Sequence, residues 1–189
     1  MKREHNELYR DVEKLKPVNG CYVDTGITTS TGTTQLETEF KIQFKQYNRS
    51  SVIIRSYPNS GLQVYNNNIQ ITNQTSAVQA YDNELYTIYT NTTATVRSIK
   101  ILEGRIRNYG EYTLNFNRSI TDNQPICLFC TPDTPTLNFI DYFYYLKLWR
   151  NGVLVRDYAC KQRLSDGVYG LYDNVTGSFE EGEVGYFSI

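Results

Sequence analysis

Residues 146–158 read LKLWRNGVLVRDY: an alternating apolar run, the dipeptide Asn151-Gly152, and a second apolar run that ends in a charged pair. Asn-Gly between two alternating strands is the strongest short-range hairpin signal, because both residues tolerate the positive φ of a type I′ turn. The twist of that turn also matches the twist of the strands it joins. The stretch therefore predicts a hairpin, with Leu146 and Leu148 facing a core and Lys147 and Trp149 facing the other way. Arg156 and Asp157 alternate across the second strand. Either can meet a neighbour there, and a surface ion pair would add little.

The same period of two extends upstream. Between 34 and 44, Leu36, Phe40, Ile42 and Phe44 share one side with Thr34 and Thr38. Gln35, Glu37, Glu39, Lys41, Gln43 and Lys45 share the other. One dry and one wet face describe a strand of an antiparallel sheet. Further strands are expected near 21–27, 51–57, 62–72, 77–82, 84–90, 94–102, 111–117, 125–130, 139–150, 153–158 and 168–172. Turn material separates them, as in Tyr57-Pro58-Asn59-Ser60-Gly61, Asn108-Tyr109-Gly110 and Pro132-Asp133-Thr134-Pro135. So many short strands, with no second helix, mean a sandwich or a barrel.

Composition agrees. Of 189 residues 17 are Tyr and 8 Phe, and Thr, Asn and Ile are frequent, which favours strands and turns. The length suits one domain, or one domain with a short appendage. The net charge of −1 leaves no basic field, so neither nucleic acid nor an anionic membrane is expected as a partner. No run of about 18 apolar residues could span a bilayer. The start, MKREHNELYRDVEKLK, is charged throughout and lacks the apolar stretch of a secretory signal. Five Asn-X-Ser/Thr sequons, at Asn48, Asn73, Asn91, Asn117 and Asn174, therefore read as an Asn/Thr-rich surface rather than glycosylation sites. Within residues 4–15, Leu8, Val12 and Leu15 fall at i, i+4 and i+7, which predicts a short amphipathic helix ended by Pro17. About three turns of helix are marginal alone in water. The stripe is thus expected to lie on the domain, on copies of itself, or on a partner. The expected division is 1–17, an anchoring or oligomerisation helix, and 18–189, a β-sandwich.

The stretch YYLKLWRNGVLVRDYACKQRLSDGVYGLYDNVTGSF, residues 144–179, resembles the closing segment of concanavalin A-like, laminin-G-like jelly-roll domains. Such domains are found in bacteriophage structural proteins and in gut bacterial surface proteins. The family's order of elements is matched by Leu146-Lys147-Leu148-Trp149, Asn151-Gly152, Leu154-Val155-Arg156-Asp157-Tyr158, and Gly170-Leu171-Tyr172-Asp173-Asn174-Val175 with Phe179. The opening Tyr22-Val23-Asp24-Thr25-Gly26-Ile27 is similar to the family's first strand. Ala159 departs from the pattern, standing where a proline usually precedes the cysteine. The resemblance covers roughly 18–189, with its specific motifs at the two ends. It implies an all-β, antiparallel β-sandwich, a concanavalin A-like jelly roll, preceded here by one short helix. The Gly-Leu-Tyr-Asp stretch reads as architecture, with Asp173 and Asn174 capping backbone amides in a turn.

The chemistry of bond breaking finds few candidates. His5 is the single histidine and lies in the charged N-terminal stretch, so no Ser-His or Cys-His arrangement is available to the sandwich. Glycoside hydrolysis would want paired carboxylates. Glu37 and Glu39 share a face, but one interleaved with lysine and glutamine as any wet face is, and Glu180, Glu181 and Glu183 lie in a glycine-flanked loop. The chain is expected not to be an enzyme. Cys127 and Cys130 have knuckle spacing, yet Cys21 and Cys160 sit singly, so buried reduced thiols are the better reading. No cofactor is expected. Calcium, common in laminin-G-like domains, would draw on Asp24, Asp133 and Asp173, whose spacing resembles no calcium loop.

Glycan binding suits the surplus of tyrosine and asparagine, since sugars stack on aromatic faces and hydrogen-bond to polar groups. The candidates are Tyr145 and Trp149, with Lys147 between them, and the loop residues Tyr57 and Tyr65. The same face could equally be covered by a second sheet or a partner. A recognition sandwich without an export signal fits a bacteriophage virion subunit, such as a head decoration, fibre or tail accessory protein. That reading implies capsid or tail partners, sister chains in a homo-oligomer, and docking through Leu8, Val12 and Leu15. The alternative is a bacterial glycan-binding module or adhesin.

Overall fold

A computed structural model describes residues 8–18, 20–28, 35–44, 51–56, 60–65, 68–71, 77–79, 84–92, 96–104, 112–115, 125–129, 140–182 and 185–189. In chain order the strands are β1 (Tyr9–Asp11), β2 (Lys16–Val18), β3 (Val23–Thr28), β4 (Leu36–Phe44), β5 (Ser51–Ser56), β6 (Ser60–Tyr65), β7 (Asn68–Ile71), β8 (Ala77–Gln79) and β9 (Leu85–Thr92). They continue with β10 (Val96–Glu103), β11 (Tyr112–Asn115), β12 (Pro125–Leu128), β13 (Ile140–Arg150), β14 (Val153–Arg163), β15 (Tyr169–Asp173), β16 (Phe179–Glu180) and β17 (Tyr186–Ser188). No helix occurs among the described residues.

Two antiparallel sheets account for almost all of these strands. The larger runs β11-β10-β9-β4-β13-β14-β15-β16, with β1 also paired to β14; the smaller runs β3-β12-β5-β6-β7-β8, and β2 and β17 form a short ribbon. A shared core joins the sheets. Leu36, Phe40 and Ile42 of β4, Tyr86 and Ile88 of β9, and Phe143, Leu146 and Leu148 of β13 pack in one cluster with Val23, Ile126 and Leu128 of the smaller sheet. The fold is an all-β antiparallel sandwich. The alternation expected for 34–44 holds at each position whose side chain is described, with Leu36, Thr38, Phe40 and Ile42 buried and Gln35, Glu37, Glu39, Lys41 and Gln43 facing out.

The hairpin turns where expected. Asn151 and Gly152 take φ of 50° and 76° between the paired Arg150 and Val153. Asn151 also ties the turn to β4: its Oδ1 accepts the Gln35 N–H at 2.8 Å, and its own N–H donates to the Gln35 carbonyl at 2.9 Å. Register shifts then re-aim both strands. On β13, Asp141 and Tyr144 are extra residues opposite β4, so Ile140, Phe143 and Leu146 all point inward at a spacing of three. On β14, Val155 is the extra residue, which turns Arg156 inward opposite Leu148 and leaves Asp157 outward opposite Lys147.

Arg156 thereby reaches the place where the three resemblance segments meet. Its Nε donates to the Thr25 carbonyl at 2.7 Å and lies 3.5 Å from Asp173 Oδ2, while its Nη1 donates to the Val155 carbonyl at 2.7 Å. Gly26 leaves space for the guanidinium, because a Cβ there would lie 3.1 Å from Nη2. Asp173 is fully buried. Its Oδ1 accepts the N–H groups of Asp157 and Val175 at 2.9 and 3.0 Å, and its Oδ2 accepts the Thr176 hydroxyl at 2.8 Å. The cap expected of Asp173 is present, and the surface pairing expected of Arg156 is replaced by an interior one that ties the two sheets together.

The N-terminal stretch corrects a second expectation. Residues 1–7 lie outside the described residues; from Leu8 on, the anticipated helix is extended chain. β1 pairs with the far end of β14, Tyr9 opposite Arg163 and Asp11 opposite Lys161. Val12 N–H then donates to the Cys160 carbonyl, and Leu15 exchanges both backbone hydrogen bonds with Phe143 at 2.8 and 2.9 Å. The reason lies in the hairpin. β13 and β14 pair from the turn as far as Tyr145 and Ala159. Beyond that point their facing backbone groups need another partner, and the first strand supplies it. Leu15 is fully buried in the domain's own core, Val12 packs against that core, and Leu8 is 51% exposed. The three therefore do not form one docking stripe, and the chain from Tyr9 onward belongs to the sandwich.

Candidate functional site

Outward side chains of the larger sheet form rows whose members are fixed by register. One row crosses Tyr89 of β9, Glu39 of β4, Lys147 of β13 and Asp157 of β14; a second crosses Thr87, Lys41, Tyr145, Ala159 and Tyr172. Trp149 stands in a third, between Glu37 and Leu154. Tyr145, Lys147 and Trp149 thus share one face, as the alternation of β13 requires.

Two tyrosines of this face are held by their phenols. Tyr145 donates its phenol to Glu39 Oε1 at 3.0 Å, and Tyr89 donates to Glu37 Oε2 at 2.5 Å. Gln35 Nε2 donates to the other Glu37 oxygen at 2.8 Å. Burial, then the bond to Glu39 and that residue's negative charge, push the Tyr145 phenol up to about 12, so it stays a donor at neutral pH. The Thr87 hydroxyl and the Lys41 ammonium bond to Glu103 and hold its carboxyl below the usual range. Further along β14, Tyr9 lies 5.0 Å from both Tyr172 and Phe179, with Lys161 over Tyr172 and Arg163 over Phe179. Gly170 makes room for that cluster: a Cβ there would fall 2.7 Å from the Phe179 ring and 2.5 Å from the Glu180 carbonyl.

Lys147 differs from its neighbours. The carboxylates opposite it are engaged elsewhere, Glu39 by Tyr145 and Asp157 by Asn174 Nδ2 at 3.3 Å. Among the described residues Lys147 forms no ion pair, and its ammonium lies 6.0 Å from the Tyr145 ring centre. The face therefore offers aromatic surfaces, hydrogen-bonding groups of both kinds and a lysine flanked by two carboxylates.

The family-model scan and the search of curated proteins each find no match. Among solved structures the chain is similar to the LG1–3 region of the laminin alpha2 chain, at 10% identity and a TM-score of 0.46. The alignment covers 96% of this chain and 31% of that one.

Other expected site residues are dispersed. Tyr65 ends β6 of the smaller sheet, opposite Asn68, and Tyr57 lies outside the described residues. Of the three aspartates considered for calcium, Asp133 lies outside the described residues and Asp24 turns its Oδ1 back to the Gly26 N–H at 2.8 Å. Asp173 has both oxygens occupied by protein donors. No group of three metal-ligating side chains occurs among the described residues. Cys21, Cys127 and Cys160 are buried; Cys130 and His5 lie outside the described residues. Glu181 is paired with Arg163. The sequence reading missed Tyr89, Tyr172, Tyr9 and Phe179 as members of this face. Their signal is the cross-strand register, which appears only once the strands are paired.

Proposed function

We propose that the chain is a non-catalytic recognition subunit of concanavalin A-like jelly-roll type, which holds glycans on the outward face of its larger sheet and serves in a bacteriophage virion. The observation that carries the glycan reading is the outward series Tyr145, Lys147 and Trp149 along β13, with Tyr145 and the neighbouring Tyr89 held in place by Glu39 and Glu37. Sugars present apolar ring faces and a rim of hydroxyls, and this surface alternates aromatic rings with donors and acceptors in the same way. Ordering in advance favours affinity, since little side-chain entropy remains to be lost on binding. The carboxylates Glu37 and Glu39 each accept a tyrosine phenol, which suits orienting roles rather than general acid–base work. Virion residence rests on the sequence resemblance described above, and a capsid or tail gene beside this one would favour it over a bacterial adhesin.

Glycan-array binding by the full chain tests the reading. Bound glycans whose signal falls at least tenfold on Trp149→Ala or Tyr145→Ala, with the melting temperature held within a few degrees, would support it. An array on which the native chain captures nothing would end it.

A further inference from the structure

We infer that the outward side of Ala159 is the floor of a single-sugar subsite, walled by Tyr145 on one side and Tyr172 on the other. This inference rests on the glycan-binding reading and moves its centre from along β13 to across β14. Tyr145, Ala159 and Tyr172 are direct cross-strand partners on three adjacent strands. All three face outward, since Leu146, Tyr158, Cys160, Leu171 and Asp173 beside them are buried. Two strand spacings separate the walls, about 10 Å. A methyl group between two tyrosines leaves a notch, and Ala159 is only half-buried, so solvent reaches the floor.

Both walls are fixed from outside the notch. The Tyr145 phenol is drawn toward β4 by Glu39, and the Tyr172 ring is packed on Tyr9, which is itself stacked on Phe179. Along β14 the notch is closed by charged residues at both ends. Asp157 stands on one side with Lys147 opposite it, and Lys161, bonded to Asp11 at 3.0 Å, stands on the other. A pyranose ring entering edge-on would lay its apolar faces on the tyrosines and its hydroxyls against these groups. No other outward position described on β14 has a small side chain between two aromatic rings.

The test compares four full-length proteins on one array of neutral and acidic oligosaccharides: native, Ala159→Val, Tyr172→Leu and Trp149→Ala. Valine fills the floor while suiting an outward strand position, so the fold should persist. Tyr172→Leu removes a wall without filling the notch, which keeps the question open to a second variant if valine perturbs folding. The expected result is at least a tenfold loss of binding in both, with native melting behaviour. Native-like binding by folded Ala159→Val, alongside loss in Trp149→Ala, would overturn the notch and leave glycan binding by the face intact. No binding by the native chain would overturn both.

Discussion

The Arg156 guanidinium lies between two sheets with the carbonyls of Thr25 and Val155 and the carboxylate of Asp173 around it. Removing one member of a buried pair costs about 3–5 kcal/mol, and the 18% exposure of the Arg156 side chain places this site toward the lower end. Asp173→Ala is therefore expected to lower stability by about that much, read from the urea midpoint. Asp173→Asn, which can still accept the N–H groups of Asp157 and Val175, should lose less. Equal losses in the two variants would mean that the turn is insensitive to those bonds. The sequence located Arg156 on the strand but not inside the sandwich. Counting by twos from the Asn-Gly turn puts Val155 opposite Leu148. The extra residue at Val155 reverses the phase from Arg156 onward, and a bulge of this kind leaves no mark in composition. Asp173 was legible as a cap because Asp followed by Asn-Val-Thr is local turn chemistry.

Among the elements, the first strand departed furthest from expectation. Leu8, Val12 and Leu15 satisfy a helical period, but a period is only an opportunity to bury one face. The divergence of β13 from β14 offered more: unpaired backbone groups along two strands and a hole of the size of Leu15. Leu15→Ala is expected to cost about 2–5 kcal/mol, the range for emptying a buried leucine site. Deletion of residues 1–15 should cost more, since it also strips Phe143 of both its partners; thermal melts of the two variants give the order. By contrast, the twelve expected strands fell in order on observed ones, with 62–72 dividing into β6 and β7, because alternation and Asn/Gly/Pro punctuation are local signals. The short strands β1, β2, β16 and β17 were missed for the converse reason. β1, β2 and β17 exist where distant segments offer an edge, and β16 is a two-residue return onto the adjacent β15.

At the scale of the molecule, buried protons make stability depend on alkaline pH. Burial pushes the Cys160 thiol from its ordinary 9 up to about 12 and the Tyr145 phenol from 10 up to about 12, and raises the phenol of Tyr158 as well. A raised folded-state pKa contributes stability in full below the unfolded value and loses it as pH climbs through the folded one. The melting temperature should thus hold up to about pH 9 and fall from there to about pH 12, with Cys160→Ala flattening the first part of the fall. In the native protein Cys160 should also resist a thiol reagent at pH 8 that labels the unfolded chain at once. The sandwich itself was legible from sequence, as one wet and one dry face repeated strand after strand. The face proposed for binding was legible only along β13, because Tyr145, Lys147 and Trp149 are close in sequence, whereas Ala159 and Tyr172 join them only through pairing.

The place of the first strand between β13 and β14 also orders events in time. Residues 9–15 are made well before β13 and β14, whose edges they complete. They must wait, unpaired, until both of those strands have been made. Closure of the larger sheet is then a long-range step, of the kind that slows β-rich proteins to milliseconds or seconds. A nascent chain stalled before residue 140 should leave residues 9–15 open to protease, and release should protect them.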